Sequence, residues 1–416
     1  MKRDAQEIDE GGGYIGYMEA CDIIEAHIHP IKDESLDLLE CVGRIAATAL
    51  AARISFPSMD VSLKDGYAVK STDVAFACVQ NPKILKVIGA AFAGRGFEGR
   101  LEAGTAVSVC SGAPIPSGAD AVVAGEFCKV LSSGDVHIQA DAGPGRNIMP
   151  AGVEIKAGEI LVRKGRRLSP GLLGLTAAAA GFDQIRVYRK PRVAIISIGD
   201  EVVAPGSTLH AGQLYASNLV TMAAWLSSLG MPCTTSVIAD SEDAICRELE
   251  KQLPDAILTS GGAWGSERDL VVGAMNKMGW QKWFHYVRIG PGKGVAFGLW
   301  KNLPVFCLPG GPSSHQMAFM QLALPALSHM GGETGHPLQT VQARLSEDVT
   351  GRHPAWTEFK DAVVTHDGEG RYTVGLYQSA SRLQAIARAN ALICVPEGRE
   401  SLRRGDTVPV QLLFHR

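Results

Sequence analysis

The chain has 416 residues, 46% of them hydrophobic and 20% charged, and a formal net charge of -3. That length exceeds one compact core and predicts two to four domains, and the balance excludes a disordered chain. The slight negative charge excludes a general nucleic-acid binder, which would be basic, but leaves room for local anion sites.

Met1 to Gly13 is polar, lacks the apolar centre of a signal peptide and reads as a loose tail. No apolar run is long enough to span a bilayer, so no membrane partner is expected. The nine cysteines form no CxxC pair, and their odd number points to reduced thiols in a cytoplasm. Cys110, Cys307 and Cys394 lie in apolar, strand-like runs and read as buried small hydrophobes rather than metal ligands.

In chain order, residues 16–29 predict a helix, and LDLLECVGRIAATALAARI (36–54) repeats its apolar positions at helical spacing in part. Residues from Met59 to about Leu161 are rich in Gly, Val and short apolar runs broken by turns, which predicts β structure. RRLSPGLLGLTAAAAGF (166–182) predicts a helix capped by Ser169, with Pro170 in its first turn, packing back on the first stretch. From about Arg189 to Gly331 the rhythm changes to strand, turn and helix in alternation. RVAIISIGDEV, TTSVIAD, DAILTSGG and PVFCL read as strands. NLVTMAAWLSSLG, closed by Gly230, and SEDAICRELEKQL, capped by Ser241, read as helices. Such alternation predicts a doubly wound, mostly parallel sheet. From about Glu333 the texture is β again, with AVVTHDGEGRYTVGLY as a hairpin turning at Asp367-Gly368.

Ligands of open parallel sheets bind beyond the carboxyl ends of the strands. Three such ends carry polar or glycine-rich turns: Ser197-Ile198-Gly199-Asp200-Glu201, Thr259-Ser260-Gly261-Gly262, and Leu308-Pro309-Gly310-Gly311-Pro312-Ser313-Ser314. Glycine lets the backbone approach a ligand, and amides at the following helix start can receive an anion. One glycine pair alone reads equally as a turn; three in one alternating unit favour an anion pocket. Asp200 and Glu201 read either as a helix cap with a first-turn acid or as donors to Mg²⁺, with Asp240 and Asp269 as further candidates. Lys293 in Pro291-Gly292-Lys293-Gly294 is a solvated loop lysine or an anion contact, and Trp264 either stacks on a planar ring or plugs the pocket.

The chain resembles the molybdopterin molybdotransferases, the MoeA and gephyrin E-domain family, from Gly16 onward. The resemblance is carried in order by Asp65-Gly66-Tyr67-Ala68-Val69, Ser111-Gly112-Ala113-Pro114-Ile115-Pro116, GADAVV from Gly118, Gly199-Asp200-Glu201, Ser260-Gly261-Gly262, Arg268-Asp269, Pro291-Gly292-Lys293, AFG from Ala296, Leu308-Pro309-Gly310, ARAN from Ala387 and Val395-Pro396-Glu397-Gly398. It implies an α/β multidomain fold: a molybdopterin-binding doubly wound domain, mostly-β domains and an elongated helical segment. The implied boundaries are 14–58 with 164–188, 59–163, 189–332 and 333–416. It further implies a homodimer whose cleft lies between the third domain of one subunit and the second of the other. There molybdate is inserted into adenylylated molybdopterin and AMP leaves, with Mg²⁺ as cofactor. An adenylylating molybdopterin protein and recipient molybdoenzymes are the implied protein partners.

Residue by residue, the resemblance implies catalytic roles for Asp65, Asp269 and Lys293. It implies cofactor-binding roles for Ser111, Gly199, Ser260, Gly261, Gly262, Gly310, Ser314 and Ser381, and metal binding for Glu201 and Asp240. Ser111 keeps a hydroxyl where the family usually has Thr, and Arg352 falls with Ser381 in a region that helps hold molybdate in relatives. The chain also departs from the pattern. Met149, Val153 and Glu154 stand in the arginine-rich loop, Ala216 replaces an Asp, Trp264 a Ser, Gly290 a Lys and Gly311 an Asn, and Lys64 precedes Asp65. A lost charge-assisted contact costs roughly 1.5–3 kcal/mol, about tenfold to a hundredfold in affinity. The losses therefore leave an alternative: an impaired paralogue that binds molybdopterin or cofactor, or a dimeric scaffold. His285 or Arg288 is expected to replace the positive group missing at 290.

Overall fold

A computed structural model describes residues 13–251, 254–262 and 270–413. The chain forms two compact units, one of residues 35–187 and one that ends at Glu34 and resumes at Tyr188.

Helix α1 (Tyr17–His27) belongs to the larger unit, where Ala20, Ile24 and Ile28 join a core with Val193, Met222 and Phe319. The spacing of those three residues puts them on one helical face. The Glu19 side chain accepts from the Gly16 amide and secures the first turn.

The smaller unit is built on a six-stranded sheet: β1 (Gly66–Val69), β2 (Lys83–Ala91), β3 (Thr105–Val109), β4 (Ala121–Ala124), β5 (Cys128–Val130) and β6 (Val136–Ile138), in spatial order β4-β1-β3-β2-β6-β5. Helix α2 (Pro170–Ala180) begins and ends as its sequence dictates. Ser169 Oγ accepts from the Leu172 amide, and Gly181 closes the helix in a left-handed conformation. Leu173 of α2 shares a core with Cys41, Ala46, Leu50 and Val187, so the helix does pack on the first stretch.

Residues 36–54 depart from the helical expectation. They form a short turn at Leu38–Cys41 and a two-residue strand, Leu50–Ala51, paired with Ile160–Val162. Gly43 at φ 74° interrupts any helix, and bridges from Ile45 to Arg167 and Ala46 to Val187 take the backbone into extended pairing. The helical spacing was too partial to outweigh those cross-chain hydrogen bonds.

The larger unit carries the alternating segment: β7 (Val193–Ile198), α3 (Ser217–Ser228), β8 (Cys233–Ile238), α4 (Glu242–Lys251), β9 (Ala256–Ser260), α5 (Leu270–Lys277), β10 (Gln281–His285), β11 (Val287–Gly290), β12 (Ala296–Trp300), β13 (Leu303–Leu308) and α6 (Pro312–Ala318). Helix α6 runs through a π turn, Phe319–Ala323, into α7 (Leu324–Met330). The sheet order is β8-β7-β9-β13-β12-β10. The first four strands are parallel and the last two antiparallel. Val193 to Ile198 is buried at every position, as a strand covered on both faces requires.

The C-terminal strands are β14 (Thr340–Leu345), β15 (Thr357–His366), β16 (Tyr372–Leu376), β17 (Ala391–Val395) and β18 (Thr407–Leu412), with helix α8 (Arg382–Arg388) between β16 and β17. They pair in the circuit β15-β16-β14-β18-β17-β15, a closed barrel that leaves no free edge in the ring. Its interior holds Leu345, Val374, Ile393 and Val410. The hairpin turn falls slightly later than expected: Asp367 bonds across to Arg371, and Gly370 rather than Gly368 takes the positive φ. Strand β11 adds to the outside of β15, pairing Ile289 with Thr357 and Gly290 with Glu358.

Candidate functional site

The three glycine-rich strand ends lie side by side. Ser197 on β7 is in register with Ser260 on β9, and Ser260 with Leu308 on β13. The Gly261 amide donates to Leu308 O at 3.1 Å. A Cβ at Gly261 would lie 2.6 Å from Ile198 O, and one at Gly310 would meet Gly261 Cα at 3.7 Å. The ends are thus packed more closely than side chains at 261 would allow. Asn218, in the first turn of α3, braces them: its Nδ2 donates to Gly310 O at 2.8 Å and to Ser260 Oγ at 3.3 Å. In the sequence Asn218 stands out only as the first residue of the helical run NLVTMAAWLSSLG. Ala216 occupies the cap of α3 with no side-chain acceptor, so no side chain of the cap position covers the helix's first amides.

The acids gather beyond the neighbouring strand ends. Ile198 pairs with Ile238, which brings Asp200 and Glu201 to the same edge as Asp240. Asp200 Oδ1 accepts from the Asp240 amide at 3.1 Å, a contact between two strand ends, and a short strand, Val202–Val203, rather than a helix follows these acids. The Glu201 carboxylate lies over Gly199, within 2.7 Å of where a Cβ at 199 would stand. Among the described residues no group of three or more His, Cys, Asp or Glu side chains forms a metal cluster. Asp269, Arg268 and Trp264 lie outside the described residues.

Next along the same loops is a cavity of about 1030 Å³. The β11–β12 turn lines it with Gly290 to Lys293, the start of α6 with Ser313 and Ser314, and the barrel with Arg352, Glu358, Lys360, Asp361, Tyr377 and Arg382 among others. Gly292 makes this possible. At φ 124° it lies against α6, where a Cβ would be 3.1 Å from Ser314 O and 3.2 Å from the Ala318 amide, so the turn brings Lys293 and Ser314 to one wall. Four cationic side chains, Lys293, Arg352, Lys360 and Arg382, face two carboxylates, Glu358 and Asp361. Burial alone would raise the Glu358 carboxyl, but the Lys360 ammonium and the Arg352 and His353 amides outweigh it and hold it below the usual range. Asp361 has no such help. Burial raises its pKa, and among the described residues its Oδ1 has no hydrogen-bond partner.

Ser381 caps α8, accepting from the Gln384 amide at 3.3 Å, while its neighbours Ser379 and Arg382 line the cavity. Arg288 does not replace the cation missing at 290. Its guanidinium is turned to Tyr14 O and Glu397, at 3.1 and 3.3 Å. The His285 ring stacks on Tyr286 at 3.8 Å, and neither residue lines the cavity. Arg288 shares one face of β11 with Gly290, but its guanidinium is held at the α1 end by Tyr14 O and Glu397. Glu358 and Lys360 were missed in the sequence, where the charge alternation in TEFKD was the available signal.

In the smaller unit Asp65 and Ser111 come together: Asp65 Oδ1 accepts from the Ser111 amide at 2.6 Å, and both are exposed. Gly66 beside them is pressed on β4, where a Cβ would stand 2.0 Å from Val123 O.

Comparison with known proteins identifies the family to which this fold belongs. Residues 15–180 match the family model of the MoeA N-terminal region (domains I and II), 194–329 that of a probable molybdopterin binding domain, and 342–413 that of the MoeA C-terminal region (domain IV). A molybdopterin molybdenumtransferase from Synechococcus elongatus is 31% identical over 96% of this chain and 100% of its own. One from Haemophilus influenzae is 29% identical over 93% of this chain and 95% of its own. A solved molybdopterin biosynthesis MoeA protein from Pyrococcus horikosii superposes with a TM-score of 0.84 at 30% identity, covering 97% of this chain and 100% of that one. With strand-end junction, acid edge and DGYA strand all falling inside these matches, the chain belongs to the molybdopterin molybdenumtransferase (MoeA) family.

Proposed function

We propose that this chain is a transferase of molybdenum cofactor biosynthesis that inserts molybdate into adenylylated molybdopterin and releases AMP. The observation that carries the reading is the loop after β13, which belongs to both parts of the site. Gly310 stands at the three packed strand ends, and Ser313 and Ser314 stand at the cation-lined cavity. The glycines at the strand ends suit phosphate oxygens, because a residue without a side chain lets a ligand approach the backbone closely. Lys293, Ser314 and Arg352 suit a tetrahedral oxyanion, as cationic and hydroxyl donors.

The acid edge fits Mg²⁺, which is commonly held by one or two carboxylates together with substrate phosphates. Glu201 and Asp240 would hold it, with Asp200 steering the Asp240 backbone. When bound there, the ion offsets pyrophosphate charge. Asp65 and Ser111 complete the assignment as the contribution of a second copy in a homodimer. Asp65 fixes the 111 backbone, leaving the Ser111 hydroxyl for ligand. The adenylylating protein upstream and molybdoenzymes downstream are the partners this chemistry calls for. Nine free cysteines suit a reducing cytoplasm, and no described helix is long and apolar enough to cross a membrane.

The test is an insertion assay with adenylylated molybdopterin, run with molybdate and with tungstate. Lys293→Ala and Asp65→Ala should each lower the rate by roughly tenfold or more. Pterin binding without insertion by the unaltered chain would favour the binding-module alternative, and unchanged rates in both variants would remove the assigned roles.

A further inference from the structure

Gly290 carries no side chain into the cavity, and the structure shows what stands in its place. In the β11–β15 pairing Gly290 lies opposite Glu358, and a Cβ at 290 would be 3.1 Å from Glu358 Cγ. Glu358 is 5% exposed and has both oxygens engaged. Oε1 accepts from the amides of Arg352 and His353, and Oε2 from Lys360 Nζ at 2.6 Å. The i, i+2 spacing on a strand puts Glu358 and Lys360 on one face, so the carboxylate fixes where the ammonium stands. Lys360 keeps 22% of its side chain accessible and lines the cavity. An ammonium has three N–H donors, and Glu358 is its one acceptor among the described residues. Two donors are left for water or ligand.

We propose that Lys360, positioned by Glu358, is an oxyanion-binding residue of this cavity, supplying from β15 the cation that position 290 lacks. The proposal rests on the function proposed above and names one more contact for its substrate. Glu358 spends its charge on two amides and one N–H, so an incoming oxyanion meets the outer side of the ammonium, with Lys293 and Arg352 on the same cavity's walls. The bound species is a tetrahedral oxyanion, either molybdate or a phosphate group of the pterin.

The experiment is calorimetric titration of the full chain with sodium molybdate and, separately, with inorganic phosphate. Lys360→Met should weaken binding roughly ten- to hundredfold, while Lys360→Arg should stay within about threefold. Loss for molybdate alone assigns the metal oxyanion, and loss for phosphate alone assigns the pterin phosphate. Because Lys360→Met leaves Glu358 buried without its cation, the double variant Glu358→Gln/Lys360→Met removes both charges and should show the same loss in a folded chain. Unchanged affinity in the double variant, with affinity lost in Lys293→Ala, overturns the Lys360 assignment and leaves the proposed function standing. No binding and no insertion by the unaltered chain overturns both.

Discussion

Gly261 is the position where the junction of strand ends is most exposed to a single methyl group. At φ 98° it has a backbone that side-chain-bearing residues rarely adopt. Placing alanine there costs about 1–3 kcal/mol for conformation alone. The added Cβ would also sit 2.6 Å from Ile198 O, a backbone atom anchored in β7, so the clash is relieved only by separating β7 from β9. That separation strains the Gly261 to Leu308 bond and the Asn218 brace. We expect Gly261→Ala to destabilise the larger unit by roughly 2–4 kcal/mol, a large share of a typical domain's stability. Gly310→Ala is the internal control. Its nearest new contact is an ordinary 3.7 Å and its φ is not positive, so it should fall within about 0.5 kcal/mol of the parent. Urea unfolding followed by tryptophan fluorescence reads the larger unit, where Trp225, Trp280 and Trp300 are all buried. The two units need not unfold together, so amide exchange across β7 and β9 should localise the loss. Equal stability of Gly261→Ala and the parent, or equal losses in both variants, would refute the close-packing argument.

Asp255 grips Arg189 with both oxygens at 2.7 Å and also takes the Arg192 amide. Burial works to raise its carboxyl, yet Arg189 and Arg192 hold it below the usual value of 3.8. Its stabilisation is therefore present above that value and lost as pH falls through the lower folded-state pKa; Asp255→Asn should cost about 2 kcal/mol near neutrality and flatten that acid limb in pH-dependent unfolding. His315 is enclosed in α6, its Nε2 has no partner among the described residues, and burial drives it from 6.5 down to about 3. The unfolded chain takes up a proton that the folded chain refuses between those values, so stability present above pH 6.5 declines as pH falls toward 3. His315→Leu should remove that slope, and a variant whose unfolding midpoints track the parent across this range would contradict it.

Local chemistry was enough, from sequence alone, to find much of this protein. Ser169, Pro170 and Gly181 delimit α2 by capping and φ preference, which act over a few residues. The strand and helix alternation after Arg189 follows from runs of apolar residues whose period changes between segments. Three of its parallel strands, β7, β9 and β13, end in turns that carry glycine, so three candidate loops could be marked in the sequence. What tertiary structure decided is which distant residues meet. The partial helical period of residues 36–54 yielded to pairing with strands far along the chain. Glu358 and Lys360 became cavity residues only because β15 accepts β11 on its outer side, in a register that sets Glu358 against Gly290. Arg288, close to the gap in sequence, was drawn to Glu397 and Tyr14 instead. Register between non-neighbouring strands depends on hydrogen bonding and packing summed over whole sheets, and no short window of residues contains that sum.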